Sequence, residues 1–143
     1  MTPSQVQAVK QSFALVAPIA DQAGTLFYQR LFESDPSLRP LFKGDIGEQS
    51  RKLMQTIATV VNSLDRLEML LPAVKALGAR HAGYGVRDEH YATVGAALLW
   101  TLEQGLGEHF TPPVRDGWTA AYGTLATVMQ AAAAEAAPGA AAG

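Results

Sequence analysis

Leu77-Gly78-Ala79-Arg80-His81-Ala82-Gly83-Tyr84-Gly85-Val86-Arg87-Asp88-Glu89-His90-Tyr91 is the stretch on which the fold turns. A helix with an apolar face runs into it, and Gly83 and Gly85 stop that helix. His81 lies i+7 from Val74 and i+4 from Leu77, so the spacing puts it on the inward face of the last turn. A second helix opens just past the glycines, with Asp88 as its cap. An imidazole on an inward face needs a buried partner. Alone, such a histidine is more often a satisfied core or cap residue, and both readings stay open here.

Outward from this stretch the pattern is helical throughout. Thr2-Pro3-Ser4-Gln5 is a helix start with the makings of a capping box, and Val6, Val9, Phe13 and Val16 follow on one face until Pro18. A second helix is predicted from about Asp21 to Glu33, with Leu26, Phe27, Arg30 and Leu31 on one face. Tyr28 and Phe32 lie beside that face, and Gly24 marks a close crossing. Ser34-Asp35-Pro36 opens a short third helix carrying Leu38, Leu41 and Phe42. The next runs from roughly Gly47 to Ser63 with Leu53, Ile57, Val60 and Leu64 inward. Gln49 extends that stripe one turn back; spacing alone also allows a surface glutamine there. Pro72 opens the helix that ends in the quoted stretch. The helix after it carries Tyr91, Val94, Leu98 and Leu102, and Gly105 and Gly107 end it. The last helix starts at Thr111-Pro112 and buries Val114, Trp118, Ala121, Leu125, Val128 and Ala132, with Glu135 in the same register. The expected class is all-α: about six main helices and one short one. Residues 1–137 make one domain, and 138–143 a disordered low-complexity tail.

Composition narrows the function. The 143 residues carry a net charge of −2 with no long basic run, which argues against a nucleic-acid footprint. Cysteine is absent, which excludes thiolate zinc sites, iron–sulfur clusters and cysteine nucleophiles. No signal peptide and no apolar run near the roughly 20 residues of a membrane span is present, so a cytoplasmic protein is expected. No two histidines sit at i, i+3 or i+4, and His90 and His109 read as solvated helix ends. There is no phosphate loop and no nucleophile elbow.

Several motifs then add up. Tyr28 within Phe27-Tyr28-Gln29-Arg30-Leu31-Phe32, Phe42 after Pro36-Ser37-Leu38-Arg39-Pro40-Leu41, Gln49, Leu53 and His81 form one ordered set. Leu70-Leu71-Pro72-Ala73-Val74 ahead of His81, and Trp118-x-x-x-Tyr122-Gly123 in the last helix, sharpen it. The set resembles the bacterial single-domain globins and the globin module of flavohaemoglobins, over residues 1–135. That resemblance implies a globin fold around haem b (iron protoporphyrin IX), with His81 as the protein ligand to iron. It implies that Phe42 packs on the porphyrin, that Leu53 restricts the pocket, and that Tyr28 and Gln49 hydrogen-bond bound O2. It assigns Tyr91 and Glu135 to a proximal network that holds His81; a solvated helix-end acid remains the other reading of Glu135. A phenol or amide donor stabilises the partial negative charge on O2, and a carboxylate behind the histidine raises its basicity. Two functions follow from the resemblance: reversible O2 binding for storage, delivery or sensing, or nitric oxide dioxygenation. The second is expected to draw its electrons from a separate flavoprotein reductase.

Overall fold

The computed structural model describes residues 2–41, 45–83 and 88–136; for 41, 81–83, 88, 135 and 136 it describes the backbone alone. Phe42 and the tail from 138 onward lie outside the described residues. Six α-helices and no strand run through the described residues: α1 (Pro3–Val16), α2 (Ala20–Ser34), α3 (Ile46–Asn62), α4 (Leu71–Gly83), α5 (Asp88–Leu106) and α6 (Pro112–Ala136). No described helix is long and apolar enough to cross a membrane.

Local chemistry sets the boundaries. Thr2 Oγ1 accepts from the Gln5 amide at 3.1 Å, and Gln5 Oε1 accepts from the Thr2 amide at 2.9 Å, closing the capping box. Pro18 falls in a 3-10 turn, Ala17–Ile19, that links α1 to α2. The short third helix is also 3-10, Pro36–Leu41, because Pro40 inside it has no amide to donate. Asp45 caps α3 by accepting from the Gly47 amide at 3.1 Å. Gly105 proves to lie inside α5, and Gly107, at φ +54°, begins the turn that leaves it.

The helices form two groups that share α5. α6 packs against α1, α4 and α5, whereas α2 packs against α3 and α5. One buried cluster joins Val9, Val16, Val61, Leu64, Leu102 and Trp118; another joins Phe27, Tyr28, Leu31, Leu38 and Ala97. The buried face of α2 is Ala23, Gly24, Phe27, Tyr28 and Leu31. It is rotated from the expected one: Arg30 is exposed, with its guanidinium 5.0 Å from the centre of the Trp100 ring. An exposed cation over a half-buried indole keeps hydration that a core position would remove.

Two crossings need small residues. A Cβ on Gly24 would lie 2.8 Å from Ser50 Cβ, so α2 and α3 meet at a Gly–Ser pair. A Cβ on Gly78 would lie 2.7 Å from Met129 Cα and closer still to the Met129 carbonyl oxygen, so α4 and α6 touch backbone to backbone. Gly78→Ala is therefore expected to destabilise the fold by about 1–3 kcal/mol, read by urea unfolding. Gly123→Ala, where a Cβ meets nothing within 4 Å, is the neutral or stabilising control. Equal midpoints for the two variants would contradict the crossing.

Candidate functional site

The six helices leave a cavity of about 250 Å³ between the two buried clusters. Close-packed cores hold few voids larger than a water molecule, so a space of this size is built for a ligand. Phe27, Tyr28 and Leu31 of α2 line it, with Leu53, Ile57 and Val60 of α3 and Val74 and Leu77 of α4. His90, Tyr91, Val94 and Leu98 of α5 and Trp118, Tyr122 and Met129 of α6 complete the enclosure. The inward stripe of α3 explains its composition: Leu53, Ile57 and Val60 face the cavity and are half-buried, and Leu64, just past the helix end, lines it too and is buried.

Few polar groups interrupt this apolar wall, and phenols stand out among them. Tyr28 is 4% exposed, with its ring edge-on to Phe27 at 5.0 Å between centres and tilted against Phe32 at 5.9 Å. Burial pushes its phenol up to about 12, so it stays a protonated donor at any physiological pH. Tyr91 is buried on α5, and its backbone carbonyl accepts from the Tyr122 hydroxyl at 2.6 Å. Burial, and then the neighbouring Tyr91, raise the Tyr122 phenol above its ordinary range. At the far side of the wall, Trp118 Nε1 donates to Ser12 Oγ at 2.8 Å, which satisfies a buried indole and ties α6 to α1.

Of the residues expected from sequence, the structure brings Tyr28, Leu53 and Tyr91 to one cavity. Gln49 lies one turn before Leu53, half-buried, and is not among the residues lining the wall. The backbone of His81 continues α4 one turn beyond Leu77, which does line it; the His81 side chain lies outside the described residues. α6 remains helical to Ala136, so the helix reaches past Glu135, whose side chain is likewise outside the description. The Gly78–Met129 crossing lies within two turns of both His81 and Glu135.

Two wall residues had been read otherwise. His90 is 7% exposed and lines the cavity, which corrects its reading as a solvated helix end. The physical reason is register: His90 precedes Val94 by four residues and Leu98 by eight, so it begins their inward stripe. Tyr122 had stood only as a motif letter; its place one turn beyond Trp118 was the available signal. Among the described residues, no group of three or more His, Asp or Glu side chains could hold a metal ion by itself.

Comparison with known proteins agrees with the helical fold. A family model for globins matches residues 25–129. The flavohemoprotein of Vibrio cholerae serotype O1 is 34% identical over 132 residues, covering 90% of this chain and 34% of the relative. That of Bordetella parapertussis is 36% identical over 133 residues, covering 90% and 33%. The chain thus spans about a third of the length of the curated relatives it matches. A bacterial globin from Campylobacter jejuni superposes with a TM-score of 0.82 at 25% identity, over 94% of this chain and 97% of that one. An engineered carbene transferase built on a candidate nitric oxide dioxygenase from Rhodothermus marinus superposes with a TM-score of 0.86 at 25% identity, over 94% of each chain.

Proposed function

The chain belongs to the globin family, and on that premise we propose that it binds haem b through His81 and takes up O2 reversibly. Globins and flavohemoproteins bind haem. The observation that carries the reading is the cavity itself: about 250 Å³, apolar on nearly every side, with the Tyr28 phenol among its few donors. A flat apolar macrocycle suits such a wall, and the residues present fit it. Haem, when bound, would supply a ferrous iron with one coordination position left for a diatomic ligand.

The protein's own residues then divide the work. His81, next in register after Val74 and Leu77, supplies the imidazole. Phe27, Leu31, Val94 and Leu98 keep water from the ligand, and Leu53 limits the space beside it. Tyr28 donates its O–H to the ligand's partial negative charge, with Gln49 as a second donor. Phe42 is assigned to pack against the porphyrin face. Tyr91 and Glu135 are assigned to hold the free nitrogen of His81, which raises its basicity.

Nitric oxide dioxygenation is the second reading, supported by the flavohemoprotein relatives and the dioxygenase-based structural neighbour. A single conversion of NO to nitrate does not separate the two readings, because an accessible O2-loaded globin performs it once. Sustained turnover needs an electron for each cycle. The globin segment has no glycine-rich nucleotide loop, so we assign that electron to a flavoprotein reductase that acts on it.

The test mixes the O2-loaded ferrous protein with repeated NO additions, with and without a flavoprotein reductase and NADH. A dioxygenase forms many equivalents of nitrate with the reductase and about one without it. Limitation to a single equivalent under both conditions leaves O2 binding as the function.

A further inference from the structure

We infer that Gly24 and Ser50 are positioning residues: the crossing they form between α2 and α3 sets how far the Tyr28 hydroxyl stands from a diatomic ligand in the cavity. The inference rests on the reading of Tyr28 as that ligand's donor. Gly24 lies on the buried face of α2, and Ser50 is 3% exposed on α3. With no side chain at Gly24, the α2 backbone rests directly on Ser50. A Cβ there would lie 2.8 Å from Ser50 Cβ, 3.3 Å from its Oγ and 3.4 Å from its Cα. Among the described residues Ser50 Oγ has no hydrogen-bond partner, whereas Ser12 and Thr101, also buried, each donate to the carbonyl four residues back. The Ser50 hydroxyl therefore does not clasp the two helices. It belongs to a steric stop, and contact alone sets the separation.

The stop stands about one helical turn from each residue assigned to the ligand's side of the cavity. Tyr28 follows Gly24 by four residues on the buried face of α2; Gln49 directly precedes Ser50, and Leu53 follows it by three. Tyr28 and Leu53 both line the cavity, so the gap that the crossing sets continues into it. The Tyr28 ring is held against Phe27 and Phe32 of its own helix, so its hydroxyl moves when α2 moves. A methyl group at Gly24 would fall roughly 0.7–1.2 Å short of the ~3.5–4.0 Å at which carbon atoms rest. An O–H···O bond spans only roughly 2.5–3.0 Å. About half of that shortfall, passed on to Tyr28, takes the bond beyond its range. A change in spacing too small to alter the fold thus alters how firmly the ligand is held.

The test reads the C–O stretching band of the CO-loaded ferrous protein together with the O2 dissociation rate. A donor on the CO oxygen lowers that band, and loss of the donor raises it. Gly24→Ala wedges the crossing open. It is expected to move the band toward its position in Tyr28→Phe and to speed O2 dissociation roughly 3- to 30-fold, part of the loss of one hydrogen bond. Adding Ser50→Gly to Gly24→Ala transfers the bulk from one helix to the other and should restore both readings. Ser50→Gly alone removes the stop and should shift both in the opposite sense. Gly123→Ala, at a helical glycine that faces open space, controls for the exchange of glycine for alanine. In a Tyr28→Phe background, Gly24→Ala should add nothing. A parental band in Gly24→Ala, where Tyr28→Phe moves it, overturns the inference and leaves the Tyr28 reading standing. No movement with Tyr28→Phe overturns that reading and the inference with it. A comparable shift in Gly123→Ala, or a full shift from Gly24→Ala when Tyr28 is already Phe, also overturns the inference. If Gly24→Ala yields no folded protein, Ser50→Gly decides, and a parental band there overturns the inference.

Discussion

His81→Gly is expected to yield protein that purifies without haem, or that takes haem only when imidazole is added. The coordinate bond from His81 is assigned as the protein's one hold on the iron; the rest of the cavity wall is mostly apolar, with three phenols, Thr56 and His90. Losing that bond removes both the affinity and the axial ligand field. The check is the absorption spectrum of the purified variant, with haem quantified against protein, before and after imidazole. A five-coordinate ferrous histidine spectrum unchanged from the parent would overturn the assignment. The burial of His90 on the same wall makes the parent spectrum informative as well. A six-coordinate low-spin ferrous form without added ligand would direct attention to His90 as a second imidazole.

Tyr28→Phe is expected to speed O2 dissociation by roughly 10- to 100-fold. A hydrogen bond to a charged acceptor is worth ~1.5–3 kcal/mol, and ~1.4 kcal/mol is a factor of ten. The substitution keeps the ring and its contacts with Phe27 and Phe32, so it isolates the hydroxyl. Gln49→Leu should act in the same direction and less strongly, in keeping with its place off the cavity wall. Because burial raises the Tyr28 phenol to about 12, the parent rate should be flat with pH through neutrality and climb only as pH nears that value, when the donor is lost. Stopped-flow displacement of O2 measures all of this. Parental rates in both variants would remove Tyr28 and Gln49 from the ligand's surroundings.

Where sequence was informative, periodicity and punctuation carried it. The stripes of α3 and α4, the Thr2–Gln5 cap and the Gly24 crossing could all be read, because each depends on residues a few positions apart. The face of α2 was misread because Leu26 and Arg30 fit the same helical spacing as the true face; only packing on α3 and α5 selects Phe27, Tyr28 and Leu31. His90 shows the same limit. Position at a helix end suggested water, but His90 heads the inward stripe of α5 and is buried. The Tyr122–Tyr91 tie spans 31 residues and uses a backbone carbonyl, so no spacing rule could announce it.

The cavity also bears on how much of this protein exists in a cell. A core that leaves about 250 Å³ to a ligand gives part of its free energy of folding over to that ligand's concentration. By mass action, a ligand at a thousand times its dissociation constant adds roughly 4 kcal/mol to the folded state, comparable with the whole margin of many domains. When the supply falls, that increment goes, the unfolded fraction rises, and proteases act on it. To that extent the amount of folded chain would follow the supply of the ligand by thermodynamic linkage alone.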